Sequence, residues 1–279
     1  MRHLVRTAWV CLAVVCWAQL AGATLFVEES FDYNEGLLLN GLDGGTGWAG
    51  AWTANSHPNF PQDIQAGNLA DYPGLVNAGN HARLWACGNG SVYSRAERVF
   101  QDPIADSGQT VWWGFQMAAY GAKRGPADLL LPGSDTAVFS MTSDQPTAIS
   151  FLGTKVADGD PSYTPHLFLV EIAMSDDPGP ETATCYVDPD LSLDPSAWTG
   201  TPGSFTADPT TGLTGLKWDG ARAGTSMQAD LYFDEIRFAT TWQEAVGASA
   251  GDDIIPEPTT VALLALGGLG ALLRRRRRA

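Results

Sequence analysis

The chain has 279 residues, 44% of them hydrophobic, with 16 basic side chains against 31 carboxylates and a formal net charge of −15. Without its two ends, the stretch 24–255 keeps nine basic side chains against 30 carboxylates, a net charge of about −21. A body this acidic repels phosphate backbones and anionic headgroups, which excludes nucleic acid or a membrane surface as its partner. Its apolar and aromatic content excludes intrinsic disorder.

The first 23 residues carry Arg2, His3 and Arg6, an apolar run from Ala8 to Ala18, and Ala21-Gly22-Ala23. That order is a signal helix followed by a small-residue cleavage site, so residues 1–23 are read as a signal peptide and Thr24 as the mature start. The run is too short to span a bilayer core of ~30 Å. Cys11 and Cys16 leave with it, and the mature chain reaches a disulfide-permissive compartment with Cys87 and Cys185. These two either pair, closing a loop of about a hundred residues worth on the order of 4 kcal/mol, or stay as small buried apolar groups.

The body then alternates β-branched and aromatic runs with Gly, Pro, Asn and Asp clusters. Predicted strands are Leu25–Tyr33, Gly74–Val76, Ala82–Ala86, Ser91–Phe100, Thr110–Tyr120, Thr136–Met141, Ala148–Gly153, His166–Met174, Thr182–Val187, Leu213–Trp218 and Gln228–Thr240. The longest predicted loop is Asp188–Asp208, and a helical turn falls near Trp242–Val246. Strands at this spacing without intervening helices predict one all-β, antiparallel β-sandwich of the jelly-roll kind over 24–247, with 248–255 as a linker.

Residues 256–279 read Pro256-Glu257-Pro258, an apolar segment from Val261 to Leu273, and then Arg274, Arg275, Arg276, Arg277 and Arg278. The apolar segment is shorter than the ~20 residues of a stable spanning helix, and arginines hold their end in the cytoplasm. Motif, short hydrophobic helix and basic stop, in that order, resemble the PEP-CTERM sorting signal of exopolysaccharide-producing Gram-negative bacteria. That resemblance implies an exosortase-type partner, export through the inner membrane with a transient membrane hold, and delivery to the cell surface or extracellular matrix.

Within the body, Glu29-Ser30-Phe31-Asp32-Tyr33, the run Leu-Asn-Gly-Leu-Asp-Gly-Gly-Thr-Gly-Trp at 39–48 and Trp52 are similar to the opening of concanavalin A-like, laminin-G-like sandwiches of planctomycete and verrucomicrobial proteins. Phe233-Asp234-Glu235-Ile236-Arg237 with Thr240-Thr241-Trp242 resembles their last strand, and Tyr186-Val187-Asp188-Pro189-Asp190-Leu191 their strand-then-Pro loop. The resemblance implies that first and last strands pair, and implies no activity.

Candidate chemistry is sparse. No strand carries the Glu-x-Asp-x-x-Glu spacing that would set a general acid beside a nucleophile on one face. Gly247-Ala248-Ser249-Ala250-Gly251 matches a nucleophile elbow but lacks the flanking strand and helix, and suits a linker. His57, His81 and His166 have no zinc-type spacing. Alternation places Glu29 with Leu25, Val27, Phe31 and Tyr33, and Asp234 with Tyr232, Ile236 and Phe238, so both carboxylates point toward the core. If the terminal strands pair, Glu29 and Asp234 approach one Ca²⁺ ion with carbonyls of the Asn40–Gly45 loop. The alternative is hydrogen bonding to backbone amides or to an arginine such as Arg83.

Trp112 and Trp113 face opposite sides of a strand, and Val111, Phe115 and Met117 share the parity of Trp113. Trp113 is therefore a core residue, and Trp112 is either a sugar-stacking platform or buried beneath a covering loop. Trp48, Trp52 and Trp85 are assigned to the core. The reading that follows is a secreted, surface- or matrix-associated, non-enzymatic protein bound to extracellular polysaccharide. The alternatives are a glycan-active enzyme on the same scaffold and a passive spacer.

Overall fold

The structure, a computed structural model, describes residues 23–55, 62–88, 94–105, 108–120, 127–131, 137–141, 148–158, 164–175, 180–207, 212–220 and 227–248. Residues 1–22 of the signal head, 249–255 of the linker and the sorting tail lie outside these residues, as do His57 and Asp160.

Among these residues fifteen strands, a 3-10 turn at Pro195–Ala197 and one α-helical turn follow in chain order: β1 Leu25–Glu29, β2 Thr53–Asn55, β3 Asp63–Gln65, β4 His81–Gly88, β5 Ser94–Ile104, β6 Thr110–Tyr120, β7 Ala127–Leu130 and β8 Ala137–Met141. Then come β9 Ala148–Phe151, β10 Thr154–Asp158, β11 His166–Ala173, β12 Glu181–Val187, β13 Thr201–Phe205, β14 Leu213–Gly220, β15 Met227–Ala239 and α1 Trp242–Ala245. All strand pairs are antiparallel. Sheet one runs β13-β12-β11-β6-β15-β4-β3, with β1 also on β15; sheet two runs β10-β9-β8-β7-β14-β5-β2.

First and last strands pair as expected, with Glu28 opposite Arg237 and Glu29 opposite Ile236. The shared edge of β15 is divided, because β4 takes Met227–Phe233 and β1 takes Ile236–Ala239. Between them the strand carries a bulge at Glu235, which sits at φ 54°.

Each inner face supplies alternate residues to one core. Trp113, Phe115 and Phe168 of sheet one meet Phe139, Phe151 and Trp218 of sheet two, and all are buried. Phe115 and Phe139 meet edge to face at 5.3 Å, a geometry that aromatic quadrupoles favour. On the opposite side of sheet one, residues 66–80, the 188–200 segment and α1 cover a second cluster of Trp112, Leu167, Leu169, Tyr186, Leu191 and Trp242. Gly114 makes this close: a Cβ there would lie 2.2 Å from the Ala245 carbonyl oxygen.

Several expectations need correction. The first strand stops at Glu29 because Phe31 turns at φ 51°. Gly74–Val76 belongs to the covering segment and forms no strand. The loop expected over Asp188–Asp208 contains β13, an edge strand whose Pro202 and Gly203 disguise it. The disulfide fails on distance. Cys185 is a buried free thiol on β12, and β11, β6 and β15 separate that strand from β4, which carries Cys87. Four strand spacings of about 4.8 Å far exceed the ~7 Å limit between bridged Cα atoms.

Candidate functional site

Glu29 and Asp234 are both buried, at 1% and 0% exposure, but on opposite faces of sheet one. Glu29 shares the inner face with Ile236, its cross-strand partner. Asp234 pairs with Gln116, which lies on the outer face between inward Phe115 and Met117. The bulge at Glu235 inserts one residue and reverses parity, so Phe233 and Ile236 both point inward while Asp234 points out. One calcium ion cannot bridge the two carboxylates. Among the described residues no group of three or more His, Cys, Asp or Glu is placed to hold a metal ion.

Protein donors occupy both carboxylates instead. Glu29 Oε2 accepts from Arg98 Nη1, from Trp52 Nε1 at 3.0 Å and from the Tyr33 hydroxyl at 3.0 Å, and Oε1 accepts from the Phe31 N–H at 2.9 Å. Arg98 completes its fork on Gly50 O at 2.8 Å, Asp43 Oδ1 at 2.9 Å and Gly44 O at 2.8 Å, and lies 4.8 Å from the Trp48 ring centre. The arginine that matters is thus Arg98, whereas Arg83 is paired with Asp63.

The Phe233–Arg237 motif is a staple for the covering segment. Asp234 Oδ2 accepts from the Leu69 N–H at 3.0 Å, Glu235 Oε1 from the Ala78 N–H at 2.5 Å, and Arg237 Nη2 donates to Val76 O at 3.1 Å while its Nε reaches Glu28 at 3.0 Å. Gln116 makes a two-way amide pair with Ala70. Burial pushes the Asp234 carboxyl up to about 8, against the Leu69 amide, which favours its charged form. His81 Nδ1 meets Gly67 O at 2.6 Å in the same segment, and burial lowers its pKa.

Trp112 is therefore a covered residue, at 6% exposure, stacked on Tyr186 at 6.1 Å and edge-on to Trp198 at 6.3 Å. Trp48 and Trp52 are core residues as expected, and the side chain of Trp85 lies outside the described set. Between the sheets, a small cavity is lined by Phe31, Leu39, Trp52, Trp218, Phe233 and Ile236. Its wholly apolar wall suits no sugar.

His166 and Asp188, which the sequence did not connect, form a contact at 2.6 Å. Asp188 also accepts from the Leu167 N–H at 2.9 Å and sits at φ 48°. Its hydrogen bond raises the His166 pKa, so the contact clasps the ends of β11 and β12.

The open polar surface is the outer face of sheet two. Cross-strand registers align Asn55, Arg95, Asp219, Asp128, Ser140, Ser150 and Lys155 in one row that crosses all seven strands, exposed or half-buried at every position but Ser150, which is buried at 8% exposure. At about 4.8 Å per strand the row is roughly 29 Å long. Its cations are neutralised along their own strands or turns: Arg95 by Glu97 at 2.5 Å, Lys217 by Asp219 at 2.9 Å and Lys155 by Asp158 at 2.5 Å. Asp128 stands directly opposite Asp219 and makes no ion pair with a described residue. Alternation in short strands is legible in the sequence, but the registers that join seven strands into one row are not.

Comparison with solved structures returns sandwich proteins at low similarity. A GH131 β-glucanase catalytic domain from Podospora anserina is 13% identical, with TM-score 0.42 over 66% of this chain and 81% of that one. The lectin UEA-II complexed with galactose is 9% identical, with TM-score 0.36 over 78% and 100%. A lectin from Bauhinia forficata in complex with GalNAc is 12% identical, with TM-score 0.35 over 68% and 97%. At these values the likeness says nothing of ligand or reaction. No curated protein matches the chain. No helix among the described residues is long and apolar enough to cross a membrane. Residues 255–278 match the PEP-CTERM protein-sorting motif, so the chain carries at its C-terminal end the signal for export and exosortase sorting to the cell surface.

Proposed function

We propose that this protein is a non-catalytic component of the cell surface or matrix that lies along extracellular polysaccharide, released from its membrane hold when an exosortase processes the tail. The polar row across sheet two carries the reading. It crosses all seven strands, it presents amide, hydroxyl and carboxylate groups, and its cations are paired within the surface while Asp128 has no ion pair among the described residues. An extended polyhydroxyl chain meets a hydrogen-bonding partner at every strand spacing along it but that of Ser150. The strong negative charge of the body favours neutral chains over anionic ones.

The test is binding of the full-length protein, in detergent, to a panel of bacterial polysaccharides. Asp128→Ala combined with Ser140→Ala, in the middle of the row, lowers affinity about tenfold, the loss of about 1.4 kcal/mol. Unchanged affinity in that double variant overturns the reading.

Asp128 facing Asp219 supports a second reading, glycan hydrolysis. Directly opposed residues bring Cβ atoms to about 4.5–5.5 Å, which suits the ~5 Å carboxyl separation of a retaining pair. Release of reducing ends by the wild type, abolished in Asp128→Asn, decides for this alternative.

A further inference from the structure

The far side of the molecule carries a second polar surface of different character. On the outer face of sheet one, beyond the covering segment, Glu171 of β11 pairs with Thr184 of β12, which pairs with Pro202 of β13. The neighbouring row is Ala173, Thr182 and Ser204. Ala173, Thr182, Pro202 and Ser204 are exposed, and Glu171 and Thr184 are half-buried. One side of this terrace is an aromatic wall, with Tyr186 edge-on to Trp198 at 5.4 Å and Trp198 edge-on to Trp242 at 5.2 Å.

The wall is rigid. The Trp198 indole N–H donates to Asp190 O at 2.8 Å, and the Tyr186 hydroxyl donates to Glu171 Oε2 at 3.2 Å. Gly200 lies flush against it, since a Cβ there would be 2.3 Å from Thr184 Cγ2. With its indole N–H already given to Asp190 O, half-buried Trp198 has only ring carbons left to offer a ligand. Glu171 commits one oxygen to Tyr186 and keeps the other, and Thr182, Thr184 and Ser204 supply hydroxyls beside it.

We infer that this terrace binds the pyranose ring of a neutral sugar, with an apolar ring face against Trp198 and adjacent hydroxyls on Glu171 and Thr184. Ring surface beside fixed acceptors and hydroxyls matches the two chemistries of a sugar. Charge selects the neutral class. All six described cations lie elsewhere: Arg83, Arg95, Lys155 and Lys217 in their own ion pairs, Arg98 in the core, and Arg237 in the staple. A uronate, sulfate or phosphate group would meet Glu171 with no compensating cation among the described residues. The inference rests on the polysaccharide reading and adds a second site to it, on the sheet opposite the polar row, so that one molecule would hold two glycan chains.

The experiment titrates the full-length protein in detergent with neutral hexose oligosaccharides and with uronate oligosaccharides, using wild type, Trp198→Ala, Trp198→Phe and Glu171→Gln. Expected are binding of the neutral series only, a loss of tenfold or more in Trp198→Ala and Glu171→Gln, and retention of most affinity in Trp198→Phe. Melting temperature checks each fold, and the Phe variant preserves the test if the Ala variant is unstable. Preference for uronates, or unchanged affinity in both Trp198→Phe and Glu171→Gln, overturns the terrace. If the Asp128→Ala, Ser140→Ala variant loses binding while the terrace variants do not, the terrace falls and the polysaccharide reading stands. Binding of no glycan at all overturns both.

Discussion

Arg98 of sheet two and Glu29 of sheet one form an ion pair between the sheets, both at 1% exposure. With Trp48 and Trp52 packed on the guanidinium, the pair fastens one sheet to the other at the end where β1 enters. Breaking a buried pair strands a charge in a low-dielectric interior. Arg98→Met is therefore expected to cost about 3–5 kcal/mol in denaturant unfolding, with part of the loss recovered in Arg98→Met, Glu29→Met. A single substitution costing less than about 1 kcal/mol would place the pair among weak surface contacts.

The staple of the covering segment sets a pH dependence. Burial raises the Asp234 carboxyl to about 8, and burial also raises Glu235 and Glu29. A group whose folded pKa exceeds its unfolded value contributes stability that is complete at low pH and lost as pH rises through the folded value. The melting temperature is expected to fall as pH rises from about 4 to about 8, between the unfolded and folded values of Asp234, and to level off above. Asp234→Asn flattens that fall in part, while losing one carboxylate acceptor at a cost of about 1–3 kcal/mol. A melting temperature constant over that range contradicts the burial assigned to these carboxyls.

Asp234 also marks where sequence reading stops. Alternation correctly set Trp113 inside, Trp112 on the other face and Glu29 inward, because each depends only on a period of two along unbroken strand, whereas the pairing of the terminal strands came from the family resemblance. The same rule misplaced Asp234, since a glutamate in the left-handed region leaves no local signature and one inserted residue reverses every side chain beyond it. Which segment covers Trp112, and so which of its two readings holds, was equally illegible. Its burial comes from hydrogen bonds between Asp234, Glu235 and Arg237 and a segment more than 150 residues earlier in the chain. Arg98 gave no signal because its partners converge from three separate stretches of sequence, at Glu29, at 43–44 and at 48–52.

The glycine-rich run at 39–48 has a backbone explanation that substitution can check. Gly47 sits at φ 77°, and a Cβ there would lie 1.9 Å from Phe26 O on β1, whereas Gly41, at φ 86°, has nothing within 4 Å. Gly41→Ala is expected to cost only the left-handed penalty, about 1–2 kcal/mol. Gly47→Ala must also displace β1, and its cost is expected to reach on the order of 4 kcal/mol. Equal costs at the two positions would show that close approach to β1 does not matter.

The cysteines supply a chemical check on sheet order. With three strands between β12 and β4, Cys185 and Cys87 are not expected to bridge each other even after export. Burial also pushes the Cys185 pKa well above the usual thiol range, which suppresses its thiolate. Alkylation of the unfolded mature chain, which begins at Thr24 and keeps only Cys87 and Cys185, is expected to add two adducts without reductant, and alkylation of the folded protein is expected to leave Cys185 unmodified. Absence of both adducts from unfolded, unreduced protein would require a bridge and a different strand order.

The tail gives the last prediction. Thirteen residues from Val261 to Leu273, with glycines at 267, 268 and 270, fall short of the ~20 that hold a stable spanning helix. Five consecutive arginines after them make a firm cytoplasmic stop. A weak span beside a strong stop suits a hold that ends, and the sorting motif over 255–278 names the kind of enzyme that ends it. Cleavage is expected at or near Pro256-Glu257-Pro258, where Gly, Ala, Ser and Asp residues just upstream give a protease small, polar backbone to grip. Intact-mass measurement on protein from its native host should find a chain starting at Thr24 and lacking Val261–Ala279. Recovery of chain ending in Ala279 from the inner membrane would make the tail a permanent anchor, and would confine the polar row and the aromatic terrace to glycans within reach of that membrane.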